Sequence, residues 1–287
     1  MKTLYQFLLE KQKNHLLPVF GFAETKLWEL EKKYPIHPDF FPENIFPLAK
    51  TAIVIGVPVN LPILETTPSV YYNEHYKTLN AFLDHQALEI SLFLNEENMP
   101  SMPVSRDGYA GISALLKNPV AAFSHKHAAY HAGLGTFGRN NVILTKKYGP
   151  RIRFTTVLTA AALDELGVDQ SGVGQIPAQP EMELCIECLL CARLCPKGAI
   201  CGDKEIPYPQ SKIDKQKCTA QSEYLANRGI SPCGVCIKVC PIGEDRKAFG
   251  RTNIRIYDDE NENITKTGMD ESKWIRSWNH IRKYGKK

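Results

Sequence analysis

The residues best equipped for chemistry are the nine cysteines, and their spacing says more than their number. None precedes residue 185, and all nine fall between Cys185 and Cys240. Confinement to one segment points to metal ligation rather than to a disulfide framework spread through a small domain. Cys185-Ile-Glu-Cys188-Leu-Leu-Cys191-Ala-Arg-Leu-Cys195-Pro196 has the spacing of bacterial ferredoxins. There, two-residue gaps let one loop wrap a corner of a four-iron cluster, and the fourth cysteine reaches the other cluster. A second run, Cys233-Gly-Val-Cys236-Ile-Lys-Val-Cys240-Pro241, ends in the same way with one cysteine too few. Cys218, 15 positions before Cys233, can supply the missing ligand. The crossover then assigns Cys185, Cys188, Cys191 and Cys240 to one [4Fe-4S] cluster, and Cys195, Cys218, Cys233 and Cys236 to the other. Cys201 is left over and is expected as a small buried residue.

The remainder of the chain bounds what such clusters could serve. It has 287 residues, 43% hydrophobic and 23% charged, enough to bury a core without staples. The formal charge of +4 treats the thiols as neutral. Two clusters at about −2 each would cancel it, so the basic balance is no argument for nucleic acid. The first 13 residues lack the apolar block of a signal peptide, and no apolar run approaches a membrane span. A cytoplasmic protein with no membrane partner is expected. Two clusters alone need only some 55 to 60 residues, by the ferredoxin pattern. The long segment in front of them separates an enzyme from an electron-transfer protein that serves a partner enzyme.

Periodicity and punctuation outline the elements that would position these groups. Leu4 to Leu17 reads as a helix, Glu24 to Tyr34 as a second charged helix, and Tyr71 to Asn95 as the longest one. Ala52 to Pro58 is short, β-branched and bounded by turn residues, as in a buried strand. Pro119 to His131 reads as a helix ended by Gly133, followed by a glycine-rich turn over Gly133–Gly138. Val142 to Thr145 and Arg151 to Thr159 read as strands. The Gly-, Pro- and Gln-rich stretch 165–180 marks a boundary. It gives domains over 1–170 and 171–250, with a basic tail over 251–287. In that tail Trp274, Trp278 and Ile281 share a helical face, expected to dock on the protein itself.

Ala132-Gly133-Leu134-Gly135-Thr136-Phe137-Gly138-Arg139-Asn140-Asn141, the following Tyr148-Gly149-Pro150, the strand ending Val157-Leu158-Thr159 and the cysteine pattern together resemble the epoxyqueuosine reductase family. That family shares an architecture with reductive dehalogenases. Pro47 to Pro58 fits it too, so that the similarity runs over roughly residues 45 to 245. The resemblance implies an α/β (α+β) fold: a nitroreductase-like domain that holds cobalamin, joined to a two-cluster ferredoxin-like domain. It implies electrons arriving from a low-potential donor protein and passing through both clusters to a bound cobalamin. The substrate would be a small molecule or a modified base. Two departures argue against tRNA as that substrate. The family's tRNA enzymes carry an acidic residue shortly before Ala-Gly-Leu-Gly, where this chain has Asn118-Pro-Val-Ala-Ala-Phe-Ser-His125. They also continue into a helical-repeat domain, for which the 47 residues after Cys240 leave room for about one repeat.

No Asp or Glu lies between Gly108 and Leu163, while Lys117, Lys126, Arg139, Lys146, Lys147, Arg151 and Arg153 all do. The expectation is an anion site for a corrinoid phosphate or an anionic substrate. Arg139 and Arg153 would bind it, together with the backbone of Gly133, Gly135 and Gly138. The alternative is a set of surface charges balanced by acids elsewhere. For the proton that a reduction consumes, His125, Tyr109 and Tyr130 are the candidates; His suits that work near neutral pH, and the resemblance suggests a tyrosine. His127 and His131, four apart on one helical face, are expected to pack rather than to bind metal.

Overall fold

The computed structural model describes residues 2–32, 36–106, 111–118, 120–168, 184–202, 213–253 and 257. Tyr109, most of the 165–180 boundary and the 274–281 helix lie outside them.

An antiparallel four-stranded sheet organises the chain. Its strands are β1 (Val19–Glu24), β2 (Thr51–Pro58), β3 (Ser101–Val104) and, after a two-stranded hairpin of β4 (Thr136–Phe137) and β5 (Ile143–Leu144), β6 (Ile152–Thr159). The order is β1-β2-β6-β3, and every neighbouring pair is antiparallel. Helices cover both faces. Ile53, Ile55, Val57 and Val157 pack with Leu83, Ile90 and Leu94 of the long helix Val70–Glu96 and with Leu4 and Leu8 of the helix Leu4–Lys13. Ala52, Val54 and Leu158 face the other way, against Ala128 and Ala129 of the helix His125–His131. This double cover explains why β2 reads as a continuous apolar run, since alternate residues enter two different cores.

Local chemistry sets the helix starts. Thr3 and Gln6 form a reciprocal capping box, and Ser69, Ser124 and Asp214 each accept from a backbone N–H in the following turn. Two expectations are corrected, and two strands of the four-stranded sheet are added to those read from the sequence. Of the helix expected from Glu24 to Tyr34, the described residues hold the end of β1 and one turn, Leu27–Leu30, because the whole of Val19–Glu24 pairs with Thr51–Gly56 of β2. The helix expected from Pro119 starts only at His125, where Ser124 caps it. β1 and β3 carry no strong strand signal of their own and are held by pairing to β2 and β6.

Both cysteine runs fold onto this layer by the same local device. The turn Leu190–Arg193 begins after Leu189 at φ 60°, and the turn Val235–Lys238 begins after Gly234 at φ 66°. Each left-handed residue sits directly after a cysteine, Cys188 or Cys233, and re-aims the chain so that the next cysteine returns to the same centre. The two turns pack against each other.

Candidate metal centres and substrate cavity

Cys185, Cys188, Cys191 and Cys240 line one small cavity, together with Gly138, Arg139 and Asn140. Burial, and then the thiols of Cys240, Cys185 and Cys188, push Cys191 up to about 12. Burial likewise raises Cys233 to about 11, with Cys218 and Cys195 adding to it, and raises Cys236 well above the ordinary thiol range, with Cys233 and Cys218 adding to it. Burial and Cys195 also raise Cys218. The thiols therefore stand in two mutually repelling groups of four, which adjoin where Cys236 feels Cys191. Among the described residues, no three His, Cys, Asp or Glu converge closely enough for a single metal ion. Thiolates that bind the outer corners of a cluster stand farther apart than ligands of one ion. Cys201 belongs to neither group; its backbone carbonyl accepts from Arg139 Nη1 at 3.4 Å.

The main chain of these runs is tied to the sheet layer by buried donors. Thr67 Oγ1 donates to the Cys233 carbonyl at 2.6 Å, and Asn140 Nδ2 to the Cys236 carbonyl at 3.2 Å. Arg151, fully buried, forks onto both oxygens of Asp245 at 2.6 and 2.7 Å and also donates to the Cys240 carbonyl at 3.1 Å. Arg246 Nε donates to the same carbonyl at 2.6 Å, and its guanidinium also donates to the Tyr257 hydroxyl at 2.8 Å. Glu65, 1% exposed, accepts from Arg251 and Tyr257. Arg151 with Asp245 and Arg251 with Glu65 are tolerated there as hydrogen-bonded ion pairs, and Arg246 by donating to backbone carbonyls and the Tyr257 hydroxyl.

A second cavity of about 740 Å³ opens between the sheet layer and the second cysteine group. Cys218 and Cys236 stand in its wall, as do Phe123, His125 and Phe154. His125 is held at both ring nitrogens: Nδ1 lies 2.9 Å from Thr156 Oγ1, and Nε2 lies 3.1 Å from the Ser105 carbonyl. The carbonyl can only accept, so Nε2 carries the hydrogen there, and neutral Nδ1 accepts from the threonine. Lys126 also lines the cavity and donates to the Asn141 carbonyl at 2.9 Å. Burial first, then the like charge of Lys215, lowers its ammonium to about 8.

The other predicted groups scatter. Tyr130 is 8% exposed in the core beside Phe137 and His131, away from the cavity lining. Tyr109 lies outside the described residues. Arg153 lines the large cavity, whereas Arg139 lines the small one, with its guanidinium 3.4 Å from Glu187. Within the positive stretch, Arg151 pairs with Asp245 and Arg139 faces Glu187. Gly133 and Gly135 line neither cavity. A Cβ on Gly135 would meet the Leu144 carbonyl oxygen at 2.2 Å, so the turn needs that glycine to close the β4–β5 hairpin. His127 is 8% exposed beside Ser124 and Phe137, and His131 packs on Trp28.

No family model matches the chain. A tetrachloroethene reductive dehalogenase of Desulfitobacterium hafniense is 28% identical over 205 residues, spanning 67% of this chain and 32% of that protein. An epoxyqueuosine reductase of Staphylococcus aureus is 24% identical over 129 residues, or 41% of this chain and 29% of that protein. The chain is a homologue of both kinds of reductase. It spans about a third of the length of these curated relatives. In fold it is similar to a catabolic reductive dehalogenase solved with 3-bromo-4-hydroxybenzoic acid, with a TM-score of 0.52 at 18% identity, over 94% of this chain and 35% of that one. An epoxyqueuosine reductase from Streptococcus thermophilus superposes with a TM-score of 0.52 at 15% identity, over 98% of this chain and 79% of that one. The mixed α/β architecture read from the sequence agrees with these neighbours.

The residues present suit the groups that such relatives call for. Two sets of four thiols, half-buried except for the buried Cys240, are the donor chemistry of two four-iron clusters. The large cavity falls in the size range of cofactor and ligand sites and mixes apolar walls with a few fixed polar groups. Asn140 borders both cavities, and its buried Oδ1 has no hydrogen-bond partner among the described residues. Sequence reasoning passed over Asn140 as a site residue although it stands inside the quoted glycine-rich motif. The available signal was its place next to Arg139, in a segment with no acid of its own.

Proposed function

We propose that this chain is an iron–sulfur oxidoreductase with a corrinoid site, which reduces a substrate bound in the large cavity. The observation that carries the reading is the placement of Cys218 and Cys236 in the wall of the cavity that His125 also lines. When bound, two [4Fe-4S] clusters would carry single electrons and cobalamin would supply a strongly reducing cobalt. Cys185, Cys188, Cys191 and Cys240 would hold the first cluster, and Cys195, Cys218, Cys233 and Cys236 the second. Residues 1–170 would form the cobalamin and substrate domain, and 171–250 the ferredoxin-like domain.

The protein's own contribution is orientation and proton supply. Thr67, Asn140, Arg151 and Arg246 hold the ligand loops by their carbonyls, so that the second cysteine group stays at the cavity wall. Phe123, Phe154 and Ile152 exclude water from the far side. His125 would deliver the proton from Nε2, the nitrogen that carries the hydrogen, with Thr156 and the Ser105 carbonyl fixing the ring. An electron donor protein would meet the first group, where Ile186 is 64% exposed between Cys185 and Cys188. The test is anaerobic reconstitution with iron, sulfide and cobalamin, removal of the unbound fraction, and counts of both metals. About eight iron atoms and one cobalt per chain are expected. Full iron with no retained cobalt would leave an electron-transfer protein and overturn the corrinoid site.

A further inference from the structure

Arg246 is 1% exposed, and each hydrogen bond of its guanidinium ends on a neutral oxygen. Nε donates to the Cys240 carbonyl at 2.6 Å, and Nη2 to the Lys238 carbonyl. Nη1 donates to the Arg251 carbonyl at 3.0 Å and to the Tyr257 hydroxyl at 2.8 Å. Arg151 reaches the same Cys240 carbonyl but is matched by Asp245. Glu65 is linked to Arg246 through the Tyr257 hydroxyl, and its other oxygen accepts from Arg251. A guanidinium does not shed its proton in a protein, so burial cannot neutralise it. A buried charge held by neutral dipoles is costly and calls for a countercharge. The first cysteine group adjoins it. The guanidinium carbon lies 5.4 Å from the centre of the Tyr257 ring, which shares a packed cluster with Leu190, Val239, Cys188 and Cys191. Burial raises the Cys240 thiol to about 11, and the Ile242 backbone, Arg151 and Arg246 oppose that rise.

We propose that Arg246 is the buried countercharge of the first cysteine group and raises the reduction potential of the cluster held there. The proposal rests on the reading of Cys185, Cys188, Cys191 and Cys240 as cluster ligands, and gives a role to a residue outside that set. By charge counting, a four-iron cluster on four thiolates carries about −2 when oxidised and about −3 after taking one electron from a donor protein. A fixed positive charge in surroundings poor in water favours the more negative state. Its four hydrogen bonds hold the Arg246 guanidinium in place before the electron arrives, so no group has to reorient as the charge develops. Arg151 cannot supply the same field, because Asp245 cancels most of its charge at that distance. Arg246 is therefore a tuning residue. It makes the first group, where the exposed Ile186 marks the entry side, the better acceptor of the incoming electron.

The test uses the full chain with both clusters in place. The two potentials are read by titration with titanium(III) citrate, followed by electron paramagnetic resonance. Cys185→Ser identifies the first cluster, as the signal that it alters. Arg246→Gln removes the charge and keeps two N–H donors. It is expected to lower the first potential by about 59 mV, a tenfold loss in the one-electron equilibrium, and to leave the second where it was. Arg246→Lys keeps the charge on a poorer fit and is expected to restore most of the difference. An unmoved first potential in Arg246→Gln would overturn the proposal, and so would an equal drop in Arg246→Lys, which would make the effect one of fit rather than charge. Should Arg246→Gln fail to hold its iron, Asp245→Asn reads the same field with the opposite sign. It removes the anion beside Arg151, leaves two cations at the Cys240 carbonyl, and is expected to raise the first potential; an unmoved or lowered value there would overturn the proposal as well. Fewer than two clusters in the unaltered chain would overturn the ligand reading and this proposal with it, whereas two clusters with unmoved potentials would overturn this proposal alone.

Discussion

Arg151→Leu is the substitution with the largest expected consequence outside the cysteines. Arg151 is fully buried, and its two bonds to Asp245 join residues 94 positions apart. It also holds the Cys240 carbonyl. Removing the guanidinium strands a carboxylate whose side chain is only 14% exposed. It also frees the Ile242 carbonyl, while Arg246 continues to serve the Cys240 carbonyl. Breaking a buried pair from one side costs about 3–5 kcal/mol, and the partial exposure of Asp245 places the expected loss at the lower end, about 3 kcal/mol. For a chain of this size that lowers the melting temperature by roughly 6–12 °C. Asp245→Leu strands a guanidinium with no access to water and should cost at least as much. The double variant Arg151→Leu/Asp245→Leu removes both charges and should recover part of the loss, a coupling that a double-mutant cycle in urea measures. Iron counts on the same samples should show a poorer first cluster in each single variant. A single-variant loss below about 1 kcal/mol, or strictly additive effects, would refute the argument that this pair clamps the cysteine segment to the sheet layer.

Four further outcomes are expected. Cys218→Ser should lose about half of the iron and Cys201→Ser none, as iron analysis after reconstitution would show; the reverse would reassign the ligands. Burial lowers the His131 imidazole to about 4, with Glu31 raising it slightly. The unfolded chain therefore takes up a proton below about pH 6.5 that the folded chain refuses, so stability falls as pH drops from about 6.5 to 4, by up to about 3 kcal/mol. His131→Phe should flatten that slope in urea denaturation between pH 7 and pH 4; an unchanged slope would refute it. Leu189→Gly should be neutral or stabilising by about 1 kcal/mol, because Leu189 occupies a left-handed conformation that glycine adopts freely. Gly234→Ala should destabilise, since its Cβ would come within 2.7 Å of the Tyr72 ring at a φ of +66°; an unchanged melting temperature in Gly234→Ala, or a lowered one in Leu189→Gly, would contradict these statements.

The sequence by itself carried the cysteine chemistry, the buried strand Thr51–Pro58 and the long helix Val70–Glu96, because each depends on neighbours a few residues away. A two-residue gap between thiols, an unbroken β-branched run and a helical repeat of apolar residues are all local patterns. It did not carry the destinations of the charged groups. Arg139, Arg151 and Arg153 lie within 15 residues, yet they enter the small cavity, a buried clamp and the large cavity, because their partners are Glu187, Asp245 and Asn80. Tyr130 and His125 were equal candidates along one helix, and only the packing of that helix against β6 put one ring in the core and the other at the cavity. β1 and β3 were invisible for the same reason: their pairing partners β2 and β6 supply the hydrogen bonds that their own residues do not announce. Ligand type follows from covalent spacing, whereas the side of a wall on which a charge stands follows from contacts tens of residues apart, and those form only when the layers pack.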